Sequence, residues 1–190
     1  QQFREGSFEL CGAWPAGDKI VDWKGVRPEE KKGPLTMLDL SGLSSQLPSL
    51  PEAIGGLSFL TTLNLTGASQ LTALPASIGQ LSSLRRLVLA TCSQLQSLPP
   101  EIGELASLTN LNLYSCERLT ALPDTLGRLT ALQSLNLTCC RNLQALPASL
   151  GDCKSLTRLD AASCTFARNL VCQCDPGSIG RGTFLEIGAR

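Results

Sequence analysis

The nine cysteines of this 190-residue chain are its most chemically versatile residues, because a thiolate can act as a nucleophile, a metal ligand or a disulfide partner. Four of them recur at intervals of 24 residues: Cys92, Cys116, Cys140 and Cys164. The chain has no histidine, so neither an imidazole base nor a histidine metal ligand accompanies them. The regular spacing favours packing, since a buried thiol behaves as a small hydrophobe with a weak hydrogen-bond donor.

Two alternatives to packing stay open for the cysteines. A disulfide ladder could link neighbouring strands about 4.8 Å apart, although parallel side chains rarely have disulfide geometry and nine is an odd number. A metal site could use Cys164, Cys172 and Cys174, with Cys153 as a fourth ligand, but this spacing matches no common zinc pattern. Whether Cys11, Cys172 and Cys174 are free, bridged or metal-bound stays open. We expect no cofactor and no metal.

The cysteine spacing belongs to a repeat of the whole sequence. Five 24-residue units begin at Leu-Pro pairs, at positions 50, 74, 98, 122 and 146, and a partial unit precedes them from Leu35. In each unit leucines alternate with polar residues, which indicates a short strand. The spacing then changes to three and four after a proline, which predicts a single helical turn or 3₁₀ segment. Stacked units would share one core and pair their strands in a parallel sheet.

The unit L-x-x-L-x-L-x-x-C-x-x-L-x-x-L-P-x-x-I/L-G-x-L-x-x resembles the leucine-rich repeat family. Its cysteine form is most similar to the repeats of plant intracellular disease-resistance receptors and related cytosolic algal or protist proteins. The resemblance implies an α/β leucine-rich repeat solenoid, with parallel strands on the concave face and short helical or 3₁₀ returns on the convex face. It also implies that the four spaced cysteines turn inward at the strand ends, where they fill the core or bond loop backbone.

The resemblance divides the chain into three parts. We predict an N-terminal cap over 1–34, the repeat array over 35–166 and a C-terminal cap or tail over 167–190. Trp23, Gly25 and Val26 match the W-x-G-V turn of such N-terminal caps, but Cys11 stands alone where extracellular caps carry paired cysteines. A dedicated cap implies that the array starts here rather than continuing from an upstream domain.

Composition argues against several classes of function. Sixteen basic and sixteen acidic residues give a formal net charge of zero, and there is no polybasic run. We therefore expect no nucleic-acid partner. No apolar run reaches 18 residues, so we expect no membrane insertion. The cysteine usage favours a reducing compartment. This predicts a cytoplasmic protein, or an organellar one if a targeting segment precedes Gln1.

No motif marks an active site, so we predict that the chain is not an enzyme. The exposed strand residues of a curved repeat array are its usual binding surface. We therefore predict a protein–protein interaction module that recognises a protein or peptide partner of unknown identity. The expected contacts on the concave face are Arg86, Asn110, Asn112, Tyr114, Asn136 and Arg158. The expected rim residues are Glu117, Arg118 and Arg141.

Two other functions are compatible with the same sequence. The chain could be a structural scaffold subunit held permanently in a larger assembly. It could also be the sensor repeat domain of an intracellular receptor of innate immunity, as the resemblance to disease-resistance receptors implies. Recovering the native protein alone or in a stoichiometric complex would distinguish a recognition module from a permanent subunit.

Overall fold

Short parallel strands, one from each repeat, form a single sheet along the molecule. The computed structural model describes residues 35–41, 47–165 and 184–186. The strands within these residues pair in chain order, each parallel to the next. They are β1 (Met37–Asp39), β2 (Thr62–Asn64), β3 (Arg86–Val88), β4 (Asn110–Asn112), β5 (Ser134–Asn136), β6 (Arg158–Asp160) and β7 (Phe184–Glu186).

Between successive strands from β1 to β6 the chain returns through 3₁₀ helices. In the described residues these are η1 (Glu52–Gly56), η2 (Ala76–Gln80), η3 (Pro100–Glu104), η4 (Asp124–Arg128) and η5 (Ala148–Asp152). A proline in extended conformation precedes each of them, and its carbonyl accepts the first i→i+3 hydrogen bond, as in Ile102 N–H to Pro99 O at 3.0 Å. Of the two kinds of return that the spacing predicts, the 3₁₀ segment is therefore the one formed.

The core is a continuous stack of leucines between the sheet and the 3₁₀ helices. The middle residue of each strand from β1 to β6 is a leucine, and all six are buried. Leu111 and Leu113 of the fourth strand region flank Asn112, which faces the opposite side of the sheet. The predicted solenoid, with its alternation of buried leucine and outward polar residue, is confirmed.

Strand register follows the repeat length. Pairs from β2 to β6 join residues 24 apart, such as Asn110 with Ser134, whereas β1 and β2 join residues 25 apart, Met37 with Thr62. Leu50 follows the strand leucine Leu38 by 12 positions, whereas Leu74 follows Leu63 by 11, and this one extra residue accounts for the difference. β7 extends the sheet from within the region predicted as the C-terminal cap. Residues 1–34, 42–46, 166–183 and 187–190 lie outside the described part, so both cap boundaries stay predictions.

A left-handed residue lies in the turn after each strand from β2 to β6. Gly67 has this conformation in the first complete unit, and the later units use Thr91, Ser115, Cys139 and Ser163, with φ between 56° and 64°. Non-glycine residues seldom have positive φ. Here the turn is held from both sides, as where Ser115 N–H donates to Thr138 O in the next repeat at 2.8 Å. The turn directs the following residue back into the core.

One glycine in each of the helices η1 to η4 allows adjacent helices to stack closely. A Cβ atom added at Gly103 would lie 2.8 Å from Thr125 Cβ and nearer still to Thr125 O. Gly79 and Gly127 have equivalent close contacts with the backbone of the next helix. Gly56 is different, because a Cβ atom there would meet nothing within 4 Å. The recurring contact between these helices is thus a glycine against the backbone and Cβ atom of the next helix.

Candidate functional site

The spaced cysteines lie under the strand-exit turns and tie each repeat to the one before it. Their side chains are at most 2% exposed. Each Sγ donates to a leucine carbonyl 27 residues earlier; the pairs are Cys92 to Leu65 at 3.3 Å, Cys116 to Leu89 at 3.2 Å, Cys140 to Leu113 at 3.1 Å and Cys164 to Leu137 at 2.9 Å. Leu113 O also accepts the N–H of Cys116 at 3.2 Å, so one carbonyl serves two repeats.

Burial makes these thiols poor acids. It raises the pKa of Cys92 to about 11 and that of Cys140 to about 12, mainly by desolvating the thiolate. The pKa values of Cys116 and Cys164 are raised for the same reason. At neutral pH the four thiols are therefore protonated hydrogen-bond donors. A protonated buried thiol is neither a good nucleophile nor a metal ligand.

A fifth buried thiol, Cys153, has the same kind of bond elsewhere in the repeat. Its Sγ donates to Leu126 O at 3.3 Å, and burial raises its pKa to about 11. Cys153 occupies the repeat position that is Leu105 and Leu129 in the preceding units. This equivalence to two core leucines predicts a packing role for Cys153. The sequence pattern near the C-terminal cysteines indicates for Cys153 only a candidate role as a fourth metal ligand.

The described thiols are free. Cys139, half-buried in a strand-exit turn, and the five buried cysteines form no disulfide with one another. Within residues 35–41 and 47–165, no three Cys, Asp or Glu side chains come together in a way that could hold a metal ion. Cys11, Cys172 and Cys174 lie outside the described residues, so the metal alternative that used Cys172 and Cys174 is not addressed by this geometry.

The strand register brings the expected binding residues together on the concave face of the sheet, the side away from the 3₁₀ helices. Arg86, Asn110, Ser134 and Arg158 form one row across β3 to β6. Val88, Asn112, Asn136 and Asp160 form the next row. Tyr114 follows β4 two residues beyond Asn112, and its side chain is 41% exposed. We call the surface of Arg86, Asn110, Asn112, Tyr114, Asn136 and Arg158 the strand-face patch.

Asparagines of the patch also have a structural role. Asn112 Oδ1 accepts the N–H of Tyr114 at 3.0 Å, and Asn136 Oδ1 accepts the N–H of Thr138 at 2.9 Å. Asp39 makes the equivalent bond to Ser41 N–H at 3.0 Å in the first strand region. These contacts are Asx turns, in which a short side chain accepts from backbone two residues later. The side-chain oxygens are thereby occupied at the end of the strand.

The two arginines of the patch have different surroundings. Arg158 Nε forms an ion pair with Asp160 Oδ2 at 2.8 Å, with the side chains 65% and 13% exposed. Arg86 is exposed, and no carboxylate lies within ion-pair distance of it among the described residues. Arg86 is therefore the more available cation of the two.

The rim residues follow the strand-exit turns. Glu117, Arg118 and Arg141 are all exposed. Their backbone is braced by the next repeat, since Asn142 Nδ2 donates to Glu117 O at 2.8 Å and the Thr165 hydroxyl donates to Arg141 O. The three side chains thus project from an ordered edge beside the strand-face patch.

Comparison with protein families gives a match to a leucine-rich repeat region over residues 34–169. The chain belongs to the leucine-rich repeat family. Leucine-rich repeat domains generally serve protein–protein interaction and are generally non-catalytic. Comparison with curated proteins found no match. In the part of the chain with described structure, no helix has the length and apolarity needed to cross a membrane.

Solved structures show the same leucine-rich repeat fold. A leucine-rich repeat protein of Leptospira interrogans is 30% identical with a TM-score of 0.53, over 63% of this chain and 29% of that one. The leucine-rich repeat domain of the type III effector XopL is 33% identical with a TM-score of 0.56, over 60% of this chain and 38% of that one. A plant ice-binding protein, 23% identical with a TM-score of 0.50 over 70% and 45% of the two chains, shares the fold alone. The chain spans less than half the length of each.

Proposed function

We propose that the strand-face patch binds a protein or peptide partner. The observation that carries the proposal is Tyr114, the single tyrosine of the chain, which is exposed near the middle of an otherwise small and polar surface. Tyrosine is enriched among interface residues whose loss costs most binding energy, because it buries a large area with few rotatable bonds. The general use of leucine-rich repeats in protein recognition supports the same conclusion.

The surroundings of Tyr114 suit an aromatic anchor. Continuing the register of Val88 with Asn112 brings Ala90 beside Tyr114 in the adjacent repeat. Alanine is much smaller than tyrosine, so the neighbouring position in that repeat places no long side chain beside the ring. A partner side chain can pack there against the ring, while the polar neighbours exclude water around it.

The rim charges would act at longer range. Glu117, Arg118 and Arg141 are exposed to solvent, where ion pairs contribute little to affinity. Charges at the edge of an interface mainly change the association rate and its dependence on salt. We therefore assign Tyr114 and the strand residues to affinity and the rim residues to the approach of the partner.

The test is a matched pair of alanine variants, once a partner has been isolated. Tyr114→Ala should weaken binding by about 2 kcal/mol or more, as expected for an interface anchor. Glu101→Ala, which changes a half-buried residue of η3 on the opposite side, should leave affinity unchanged. An unaffected Tyr114→Ala beside a weakened Glu101→Ala would move the site to the convex face.

Partner capture would also decide how the protein is used. If the protein is a recognition module, gentle size-exclusion chromatography of the native protein should show a fraction of it free of any partner. A constant stoichiometric complex would favour the permanent structural subunit instead. The narrower proposal, a sensor domain of an immune-type receptor, rests on the similarity of the cysteine-type repeats and would require a partner that signals infection.

We also propose a reducing compartment, with the cytoplasm as the simplest location. The six free thiols in the described residues support this, because disulfides form and persist in oxidising compartments and are rare in reducing ones. Alkylation of freshly isolated native protein in denaturant, followed by mass measurement, should find all nine cysteines reduced. A disulfide among Cys11, Cys172 and Cys174 would argue for an oxidising location.

A further inference from the structure

The strand-face patch presents hydrogen-bond donors more than acceptors. Backbone N–H groups occupy Oδ1 of Asn112 and of Asn136, at 3.0 Å and 2.9 Å. The Nδ2 ends of these two amides are consequently directed away from the turn. Flipping either amide would place its NH₂ group against a backbone N–H donor and lose that hydrogen bond. The orientation of both amides is thus set by their own strands.

The centre of the patch also lacks negative charge. β3, β4 and β5 contain Arg86 and no aspartate or glutamate. On β6, directly beside Asn136 of β5, the carboxylate of Asp160 is already paired with Arg158. A ligand lying across β3 to β5 therefore meets a guanidinium and amide donors without meeting an unpaired carboxylate of the strands.

The convex side is more acidic than the strand face, where Arg86 and Arg158 of β1 to β6 are balanced by Asp39 and Asp160. Helices η1 to η5 contain five carboxylates, at Glu52, Glu101, Glu104, Asp124 and Asp152, and one basic residue, Arg128. The formal net charge of zero for the whole chain hides this separation. A charge difference between two faces orients an approaching charged molecule before contact and raises its association rate.

We propose that the partner segment on the strand-face patch is an acidic peptide, rich in aspartate and glutamate. This inference rests on the proposed binding function of that patch. Carboxylates and backbone carbonyls of the peptide would accept from Arg86 Nη and from Nδ2 of Asn112 and Asn136. β3 and β5 are about 9.6 Å apart, twice the strand spacing, which corresponds to about three residues of extended peptide. In an extended peptide, side chains two residues apart share one face and lie about 6.8 Å apart, so alternate Asp or Glu residues can reach both strands through their flexible side chains.

An acidic peptide fits better than a nucleic acid. Nucleic-acid sites neutralise several phosphates with clustered lysines and arginines. The central strands offer only Arg86, and the neighbouring rim adds Arg118 and Arg141 against Glu117. One or two carboxylates match that number of cations, and the amide donors suit peptide carbonyls.

Selection from a random-peptide library tests the inference and the binding function separately. The full chain and its Tyr114→Ala variant are used in parallel, and peptides retained by the first but not the second are sequenced. An excess of Asp and Glu in these peptides is the expected result. Neutral or basic Tyr114-dependent peptides would overturn the acidic-peptide inference and leave the binding function standing. The absence of any Tyr114-dependent peptide would overturn both.

A conservative substitution then tests the donor role of the asparagines. Asn112→Asp keeps an oxygen to accept the N–H of Tyr114, as Asp39 does for Ser41 in this chain, but replaces the Nδ2 donor with a carboxylate oxygen. It should preserve the thermal unfolding midpoint and weaken binding of a selected acidic peptide at least about tenfold, since a charged hydrogen bond is replaced by repulsion. Arg86→Gln should weaken binding similarly, and Arg128→Gln on the convex side should not.

Fluorescence anisotropy provides the readout, with the selected peptide and its Asn/Gln counterpart as labelled probes and oligo-dT as a third. Binding of the acidic peptide should fall with added salt and exceed that of both other probes. Wild-type affinity in Asn112→Asp, equal binding of the neutral counterpart, or tighter binding of oligo-dT would each contradict the inference.

Discussion

Replacement of Gly103 by alanine should destabilise the solenoid, because the added methyl group would collide with the next 3₁₀ helix. The Cβ atom would lie 2.8 Å from Thr125 Cβ and closer to Thr125 O, and neither atom can move without shifting backbone. Overpacking of this kind costs about 1 to 3 kcal/mol. We expect the upper end, about 3 kcal/mol, because the contact is with backbone rather than with the end of a flexible side chain.

The unfolded state reduces this cost slightly. Gly→Ala substitution restricts the unfolded chain and by itself stabilises a compatible site by about 0.4 to 1 kcal/mol. The net loss for Gly103→Ala is then about 2 kcal/mol. Gly56→Ala is the matched control, since it also changes a glycine in a 3₁₀ helix but its methyl group meets nothing within 4 Å. That variant should be stabilised by about 0.4 to 1 kcal/mol.

Urea unfolding followed by circular dichroism measures the difference between the two variants. With a slope of about 1 to 3 kcal/mol per molar urea, a gap near 3 kcal/mol separates the midpoints by about 1 M or more. The slopes of the variants should agree, which shows that the same cooperative unit unfolds. Equal midpoints for Gly103→Ala and Gly56→Ala would refute the idea that glycine permits the close stacking of these helices.

Three further outcomes are expected. Leu111→Ala should lower the unfolding free energy by about 2 to 5 kcal/mol in denaturant titration, because Leu111 is buried in the core; a change below about 0.5 kcal/mol would mean that the inward face is misassigned. A thiol reagent added to folded protein should modify half-buried Cys139 before the buried cysteines, which should react only after denaturation; mass spectrometry of digests would reveal any early labelling of the buried thiols. Stability should decrease as pH rises from about 9 to 11, because burial raises the pKa of Cys92 from about 9 when unfolded to about 11 and the unfolded chain therefore loses that proton first. Each such thiol contributes up to about 1.4 kcal/mol per pH unit, and its stabilisation is fully present below pH 9. Cys92→Ala should reduce the slope of unfolding free energy against pH by about one proton. An unchanged slope would contradict the raised pKa of Cys92.

The solenoid could be predicted from the sequence because one physical pattern is repeated in register. Alternation around Asn112 assigns Leu111 and Leu113 to the core, and 24-residue spacing repeats that assignment in each unit. The strand-exit turn was harder to predict. Five equivalent turn residues are left-handed, and Gly67 is the glycine among them. The residue type therefore indicates the conformation in one unit; the other four residues are Thr91, Ser115, Cys139 and Ser163. In the units of Thr91, Ser115 and Cys139, a hydrogen bond from the backbone N–H of this residue to the next repeat holds the turn.

For the candidate site, the sequence predicts which residues are exposed on the strand face but not which contacts their side chains make. Position on an outward strand row identifies Asn112 and Tyr114 as exposed candidates, but not what their polar atoms already contact. The bond from Tyr114 N–H to Asn112 Oδ1 and the pairing of Arg158 with Asp160 depend on side-chain conformation. Phe59, which is 62% exposed in the segment before β2, was not predicted because its position in later units is small or polar. The identity of contact residues therefore stays a prediction.

The shared leucine carbonyls form the same junction between one repeat and the next, so that one repeat can replace another. Leu113 O accepts from its own repeat and from Cys140, and Leu89 O does the same with Cys92 and Cys116. Removing a stretch of 24 residues would place Cys140 where Cys116 had been, with its Sγ facing Leu89 O and the leucine stack in phase. Unequal recombination between such units can thus lengthen or shorten the gene product without creating a new type of junction. A deletion that shifted a strand by one residue would instead turn its polar residues into the core.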